Sequence, residues 1–250
     1  DWPEMTDTTE QIDEKLHTEI NRFTAMWKSI AEKFHCPIIQ NNFEMPLYRL
    51  LGSRDAWDIH GRTNFLTRLN EAFYAYAREN ESFYIHDLNF VSADYGLKEW
   101  SNPLFWNMYK YAMCFEAIPS FAFSVSHIIK SIFGKNKKAL ALDLDNTLWG
   151  GVVGDDGVDG IEIGQETGVS QSYYEFQTYV KQLKSLGIVL TVCSKNDHEN
   201  AIAGLNHPEG VLRPDDFIVI KANWENKHMN IAQILSLIHI SEPTRPLYIS

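Results

Sequence analysis

The first half of the chain alternates between helical and strand-like patterns of hydrophobic residues. Residues 9–34 carry apolar side chains at steps of three and four, as one buried face of a helix requires. Residues 36–40 (CPIIQ) and 82–88 (SFYIHDL) are short apolar runs typical of strands, and the segment between them has helical spacing. This β-α-β order predicts a parallel sheet, which two helices at residues 104–115 and 120–133 follow.

The second half repeats the alternation after a polar, basic break at residues 134–138 (GKNKK), where we place a domain boundary. Residues 139–144 (ALALDL) form a nearly continuous apolar run that ends in acid, which is typical of a buried parallel strand whose carboxyl end points at a site. The later pattern predicts a flap or β-hairpin at 149–164, a helix at 171–186, a strand at 188–193, a helix at 198–205 and a strand at 217–220. The predicted fold class is therefore α/β, in two domains.

The end of the chain differs in kind from the rest. Residues 235–245 (LSLIHISEPTR) resemble, residue for residue, the in-frame translation of a widely used transposase sequencing adapter. The alternative is a natural helix end followed by a proline-containing loop. On the adapter interpretation, we expect residues 235–250 to be an artefact tail and the second domain to be cut short. The start at Asp1, with no Met, likewise predicts a shortened N-terminus.

Charge and cysteine content narrow the class of function. The formal charge of -11 and the pI near 5.2 oppose any general affinity for nucleic acid or anionic lipid. No run reaches the roughly 18 apolar residues of a membrane span. The three cysteines, Cys36, Cys114 and Cys193, lie too far apart for a disulfide framework or a Cys-x-x-Cys site. We expect a cytoplasmic protein that binds neither nucleic acid nor membrane.

The segment after the acidic strand end carries the candidate chemistry. It reads DLDNT and places Asp143, Asp145 and Thr147 in a D-x-D-x-T pattern. Two carboxylates two residues apart, where a strand gives way to a loop, can face one pocket. Because unpaired carboxylates would repel each other there, a divalent cation is their natural companion. The alternative is a solvated acidic turn.

This motif resembles that of the haloacid dehalogenase superfamily of aspartate-nucleophile phosphatases. The resemblance implies that Asp143 attacks phosphorus and that Asp145 protonates the leaving oxygen and later activates water. It also implies Mg²⁺ on Asp143 and on the backbone carbonyl of Asp145, with Thr147 holding the loop at the phosphate. Ser194 and Lys227 match the superfamily's phosphate-binding residues in order and spacing. The last motif of that superfamily, an acidic pair, has no counterpart in this sequence.

Four longer blocks resemble a narrower group, the FkbH-like proteins. They are LDLDNTLWGGVVGDDGVDGIEIG (142–164), VCSKND (192–197), HPEG (207–210) and NWENKHMNI (223–231). The resemblance implies a partial SGNH-hydrolase-like three-layer domain at residues 1–134 and an incomplete haloacid dehalogenase-like, Rossmann-type domain with a parallel sheet at 138–234. It further implies loading of a glyceryl unit from 1,3-bisphosphoglycerate onto an acyl carrier protein in polyketide-type biosynthesis.

Cys193 has two interpretations. Beside Ser194, a thiol with a depressed pKa could take the glyceryl group as a thioester and pass it to the carrier. Alternatively, Cys193 packs in the core, because it ends an apolar strand and cysteine is among the most buried residue types. We expect the first role to require a site that stabilises the thiolate.

The first domain lacks the residues of an active SGNH hydrolase. It offers no nucleophilic Ser near its first strand, and Asn102 stands where an Asp is expected, while His127 lies further on. We expect Trp100, Trp106 and Tyr109 to pack in the core rather than form a binding platform. Any hydrolase activity of this domain stays open.

Three functions are compatible with these sequence features. The first is an Mg²⁺-dependent enzyme that dephosphorylates 1,3-bisphosphoglycerate and transfers the three-carbon unit to an acyl carrier protein, although we expect this shortened chain to be inactive. The second is a small-molecule phosphomonoester phosphatase. The third, from another class, is a carrier-protein docking module without catalysis.

Overall fold

The structure, a computed structural model, describes the secondary structure of residues 1–241 and the side chains of residues 1–238. The chain divides into two compact units, Asp1–Phe133 and Gly134–Ser250. Within residues 1–241, no helix combines the length and the apolar content that crossing a bilayer requires. Of the expected artefact tail, residues 235–241 continue the last helix, and residues 242–250 lie outside the described residues.

The first unit is built around a two-stranded parallel sheet. Its helices and strands, in chain order, are α1 (Thr9–Phe34), β1 (Ile38–Asn41), α2 (Arg62–Glu79), β2 (Phe83–His86), α3 (Leu88–Tyr95), α4 (Leu97–Trp100), α5 (Pro103–Tyr109) and α6 (Ile118–Ile132). Strand β1 pairs with β2 in parallel, with Ile38 opposite Phe83. The predicted β-α-β arrangement is therefore present, because helix α2 connects the two strands.

Helix α1 has clear local causes for both of its ends. Thr8 and Gln11 form a capping box, in which each side chain accepts a hydrogen bond from the other's backbone N–H. The helix stops at His35, which adopts the left-handed conformation (φ 50°). Between these ends, buried Trp27 donates its indole N–H to Gln40 Oε1 at 2.8 Å, which fixes the helix to β1.

Of the three aromatic residues after β2 that we expect in the core, only Trp100 is buried. Trp100 is 1% exposed and packs in a small core beneath α3 and α6, as predicted. Trp106 and Tyr109, however, are 51% and 54% exposed, so the prediction of core packing is wrong for both. Helix α5 is shorter than expected: it ends where Lys110 turns left-handed (φ 61°), and none of its residues is buried.

The second unit is built around a three-stranded parallel sheet of order β3-β4-β5. Its helices and strands, in chain order, are β3 (Ala139–Leu142), α7 (Val153–Asp156), α8 (Gly168–Ser185), β4 (Val189–Ser194), α9 (His198–Leu205), β5 (Val219–Ala222) and α10 (Lys227–Ser241). The strands pair in register, with Leu142 opposite Val192 and Ser194 opposite Ala222. Their carboxyl ends therefore meet at one edge of the sheet.

The segment between β3 and α8 is not the predicted flap or β-hairpin, but a buried connection that contains a short helix. Its two ends do pair, because Gly150 and Glu162 exchange backbone hydrogen bonds of 3.0 and 2.9 Å. The chain between them forms the short helix α7 instead of extending the ladder. Trp149 and Ile161 are buried in the core of the unit, at 0% and 5% exposure. Hydrophobic burial thus holds the segment against the sheet.

Helix α9 approaches Trp149 so closely that one position tolerates only glycine. A Cβ on Gly204 would lie 2.8 Å from Trp149 Cη2, closer than van der Waals contact allows. We expect Gly204→Ala to lower the free energy of unfolding by about 1–3 kcal/mol, the usual cost of overpacking a core. Chemical denaturation of the purified chain measures this change.

The matched control is Gly168→Ala, at the first position of helix α8 in the same unit. A Cβ there meets no atom within 4 Å, so this change should be neutral or stabilising by about 0.5 kcal/mol. Equal effects of the two substitutions would show that the contact between Gly204 and Trp149 is not tight.

Candidate active site

The carboxyl edge of the second sheet brings together side chains that are distant in sequence. Asp143 follows β3, Ser194 ends β4 and Lys227 begins α10, just after β5. The Lys227 ammonium forms an ion pair with Asp143 Oδ2 across 84 residues of chain. Three residues that the sequence placed in one site therefore lie together in the structure.

Asp143 sits in an environment that favours its charged form. Its burial raises the pKa, but hydrogen bonds from Lys227, Ser194 and the backbone N–H of Leu144 outweigh this effect and leave the pKa below its ordinary value. The Leu144 bond measures 3.0 Å. The carboxylate is thus ionised and half exposed, as a nucleophile toward an electrophilic phosphorus requires.

Asp145 is held by three N–H donors from two segments of the chain. Its Oδ1 accepts hydrogen bonds from Trp149 Nε1 at 3.0 Å and from the backbone N–H of Val153 at 3.1 Å. Its Oδ2 accepts from Asn196 Nδ2 at 2.9 Å. These three contacts fix the orientation of the Asp145 carboxylate, as a residue that transfers protons at a defined position requires.

The turn between these two acids and the rest of the segment is closed by backbone contacts. Asn146 adopts the left-handed conformation (φ 53°), which Asn tolerates better than most residues, and its Oδ1 accepts from the Gly151 N–H at 3.1 Å. The Thr147 N–H donates to the Leu144 carbonyl at 3.0 Å. Thr147 thus lies in the turn that carries Asp145, and its contact with phosphate stays a prediction.

Cys193 lies beside the site but not in a form suited to nucleophilic attack. Its side chain is 5% exposed, and its Sγ lies 3.8 Å from the Lys227 carbonyl oxygen. Burial raises its pKa, the Asp143 carboxylate raises it further, and the Lys227 ammonium only partly opposes them. The thiolate is therefore disfavoured, and the structure favours the packing interpretation over the relay.

Several buried amides near the site are not predicted by the sequence motifs. Asn196 is 3% exposed and anchors Asp145, while Asn230 is 1% exposed and exchanges side-chain hydrogen bonds of 3.2 and 2.7 Å with Asn223. That pair fixes the loop that leads to Lys227. The blocks VCSKND and NWENKHMNI contain these residues, but a sequence pattern does not show which of their polar side chains are buried.

The donor set fits a hard cation that keeps much of its water. Among the described residues, no group of three or more His, Cys, Asp or Glu side chains is placed to hold a metal ion. Asp143 nevertheless offers a half-exposed carboxylate at the sheet edge. Mg²⁺ is commonly bound by one or two carboxylates together with waters and substrate phosphate, so this donor set suits it.

Asn102 and His127 of the first unit each contact residues of their own helix. Asn102 Oδ1 caps helix α5 by accepting hydrogen bonds from the backbone N–H groups of Leu104 at 2.9 Å and Phe105 at 3.4 Å. His127 is exposed and stacks edge-on against Phe123, with ring centroids 4.2 Å apart. Asn102 therefore has a structural role here.

Asn196 should stabilise the loop around Asp145 measurably. We expect Asn196→Ala to lower the free energy of unfolding by about 1.5–3 kcal/mol, because it removes a hydrogen bond to a charged group in a buried setting. Chemical denaturation measures this loss, with Asn200→Ala on helix α9 as the control. Asn200 is half-buried and should change stability by less than about 0.5 kcal/mol. Equal losses of unfolding free energy in the two variants would show that the hydrogen bond from Asn196 to Asp145 does not stabilise the loop.

The chain is similar over most of its length to one solved structure, the N-terminal part of the protein BF1531 from Bacteroides fragilis, which contains a phosphatase domain complexed with Mg. The two share 33% sequence identity with a TM-score of 0.81. The match covers 93% of this chain but only 64% of that chain. No family model and no curated protein matches. The α/β class with parallel sheets, predicted from the sequence, is confirmed, and the SGNH-like assignment of the first unit stays a prediction.

Proposed function

We propose that this protein is a Mg²⁺-dependent phosphatase of the haloacid dehalogenase type that acts on a small phosphorylated molecule. The observation that carries the proposal is the ionised Asp143 carboxylate at the carboxyl edge of the sheet, with Ser194 and Lys227 bonded to it. The Mg-complexed phosphatase domain of the similar Bacteroides fragilis structure supports the same reaction type and metal.

The proposed reaction takes place in two displacements. Asp143 Oδ attacks phosphorus, the bond from phosphorus to the leaving oxygen breaks, and that oxygen receives a proton from Asp145. In the second displacement, Asp145 takes a proton from water, whose oxygen attacks phosphorus and releases Asp143 and inorganic phosphate. The three hydrogen bonds to the Asp145 carboxylate support this role, because a group that transfers protons at a defined position needs a fixed orientation.

Charge on the transferring phosphoryl oxygens needs compensation. Lys227 already lies against Asp143, and the Ser194 hydroxyl, 2% exposed, lies on the same side of the sheet edge. Mg²⁺ would be held by the Asp143 carboxylate and the backbone carbonyl of Asp145, and when bound it neutralises phosphoryl charge. Thr147 would contribute by holding the turn between them.

A finer proposal concerns the substrate and the partner. We propose 1,3-bisphosphoglycerate as the phosphorylated molecule and an acyl carrier protein as acceptor of the glyceryl unit. The support is the resemblance of the four sequence blocks to FkbH-like proteins. A carrier thiol would attack the acyl carbon, the bond from that carbon to the bridging phosphate oxygen would break, and phosphate would leave with that oxygen and the thiol proton. The proposed phosphatase reaction at Asp143 would hydrolyse the remaining 3-phosphate ester, which leaves a glyceryl unit on the carrier. The proposal does not need Cys193 as a relay.

Removing the nucleophile tests the phosphatase proposal. In the full-length protein, we expect Asp143→Asn to reduce phosphate release by at least about 10³-fold, because an amide keeps the shape but is neither a nucleophile nor an anionic metal ligand. Phosphate release from a panel of small phosphate esters, with and without Mg²⁺, measures this loss.

Asp155→Asn is the matched control for that measurement. Asp155 is an exposed aspartate in helix α7, so the same chemical change there should leave the rate within about twofold. A normal rate in Asp143→Asn, or equal losses in both variants, would reject the proposed nucleophile.

The Cys193→Ala variant distinguishes the two interpretations of the thiol, acyl relay and core packing. With its pKa raised and its side chain buried, we expect Cys193→Ala to keep both phosphate release and glyceryl transfer within about threefold of wild type. Mass spectrometry of an acyl carrier protein, incubated with the enzyme and 1,3-bisphosphoglycerate, measures the glyceryl adduct. If Cys193→Ala loses the glyceryl adduct but still releases phosphate, Cys193 is an acyl relay. If the wild-type protein forms no adduct, the proposal of glyceryl transfer to a carrier protein is rejected.

A further inference from the structure

The two oxygens of the Asp145 carboxylate receive different numbers of hydrogen bonds. Oδ1 accepts from two donors, Trp149 Nε1–H at 3.0 Å and the Val153 backbone N–H at 3.1 Å. Oδ2 accepts from Asn196 Nδ2 at 2.9 Å, the one hydrogen bond that it receives from residues 1–238. Because a carboxylate oxygen has about two acceptor positions, Oδ1 is saturated and Oδ2 keeps one position open.

The open position on Oδ2 is where Asp145 can carry a proton without losing a donor. With a proton there, Oδ2 still accepts from Asn196, and Oδ1 still accepts from its two donors. A proton on Oδ1 would instead displace the N–H of Trp149 or of Val153, which belong to residues with 0% and 3% exposure. Leaving a buried N–H without an acceptor is costly. The hydrogen bonds therefore distinguish the two oxygens chemically.

Packing holds the Trp149 indole at Asp145. The far side of its ring lies against helix α9, since a Cβ on Gly204 would be 2.8 Å from both Cη2 and Cζ2. The N–H on the other side of the indole meets the Asp145 carboxylate. Because a ring in a closely packed core has no room to turn, the direction of this N–H is set by the fold.

The backbone is held on both sides of Trp149. Before it, the Leu148 carbonyl accepts a hydrogen bond of 2.8 Å from Nε2 of Gln177, a side chain of helix α8 that is 2% exposed. After it, Gly150 and Glu162 exchange their two backbone hydrogen bonds. Side chain and backbone of Trp149 are thus both fixed, as a residue that orients another group requires.

We propose that Trp149 is a positioning residue that makes Oδ2 of Asp145 the proton-transferring atom. The inference rests on the proposed phosphatase function and deepens it. In the first displacement, the bond from Asp143 to phosphorus forms, the bond to the leaving oxygen breaks, and Oδ2–H gives its proton to that oxygen. In the second, Oδ2 takes a proton from the attacking water, so Asp145 returns to its starting form. Without the indole N–H, Oδ1 gains an open position and competes with Oδ2.

The test compares two leaving groups in the full-length protein and in its Trp149→Phe variant, which keeps an aromatic ring and removes the N–H. For glycerol phosphate, whose alkoxide needs a proton to leave, we expect kcat/KM to fall about tenfold, part of the roughly 10²–10⁴-fold that acid–base catalysis contributes. For 4-nitrophenyl phosphate, whose phenolate leaves without a proton, kcat/KM should stay within about twofold. Its kcat should fall, because the attack of water then limits turnover and uses the same oxygen.

Val180→Ala is the matched control for lost packing. Val180 lies on helix α8, is 0% exposed and belongs to the same hydrophobic core as Trp149. Its truncation should lower the free energy of unfolding and leave the ratio of the two kcat/KM values unchanged. If Trp149→Phe lowers kcat/KM equally for both substrates, or changes neither value, Trp149 has a purely structural role and the proposal is overturned.

A second measurement does not depend on the folding of Trp149→Phe. In ¹H–¹⁵N spectra, the indole N–H proton of Trp149, assigned from its backbone signals, should move upfield in Asp145→Ala, because it loses a carboxylate acceptor. The same signal should stay in place in Asp155→Ala, which removes an exposed carboxylate of helix α7. An unchanged signal in Asp145→Ala would show that the hydrogen bond does not form in solution, and it would overturn the proposal.

The outcomes separate failure of this inference from failure of the proposed function. If the wild-type protein hydrolyses neither substrate, the phosphatase proposal is rejected, and the positioning role is rejected with it. If the wild-type protein hydrolyses both and Trp149→Phe shows no dependence on the leaving group, the inference about Trp149 fails alone.

Discussion

The parallel, in-register pairing of β3, β4 and β5 is the constraint on which the site depends. Parallel strands leave their carboxyl ends at one edge, so each crossover returns the chain to the same side. Asp143, Ser194 and Lys227 come from three separate segments, and each needs only a few residues of loop to reach that edge. A shift of one strand by one residue would turn its side chains to the other face and separate them.

Around this edge, side-chain hydrogen bonds hold the loops in place. Asp145 joins the turn after β3, the segment before α8 and the loop after β4 through Trp149, Val153 and Asn196. The Asn223–Asn230 pair does the same for the loop after β5. Because unsatisfied buried polar groups are costly, each contact is specific as well as stabilising. The nucleophile and its counter-ion thus lie among loops that these hydrogen bonds hold in place.

The sequence predicts elements with strong periodicity better than it predicts contacts between them. Residues 9–34 have one apolar face and a capping box, and helix α1 has these same bounds. The segment 149–164 looked hairpin-like because its ends do pair, but burial of Trp149 and Ile161 decides its path. Likewise, aromatic composition does not reveal that Trp106 lies on a short helix with no buried residue. Motif spacing located Asp143 and Lys227, whereas the role of Asn196 depends on a contact across 51 residues.

The burial of Cys193 has a consequence for how such a site responds to oxidants. Oxidation and alkylation of cysteine follow thiolate character and exposure, and Cys193 is low in both. Aspartate, the proposed nucleophile, has no comparable oxidation chemistry. Peroxide that inactivates cysteine-dependent enzymes should therefore leave this site intact, and the exposed Cys36 in the first unit is the thiol that would be modified first.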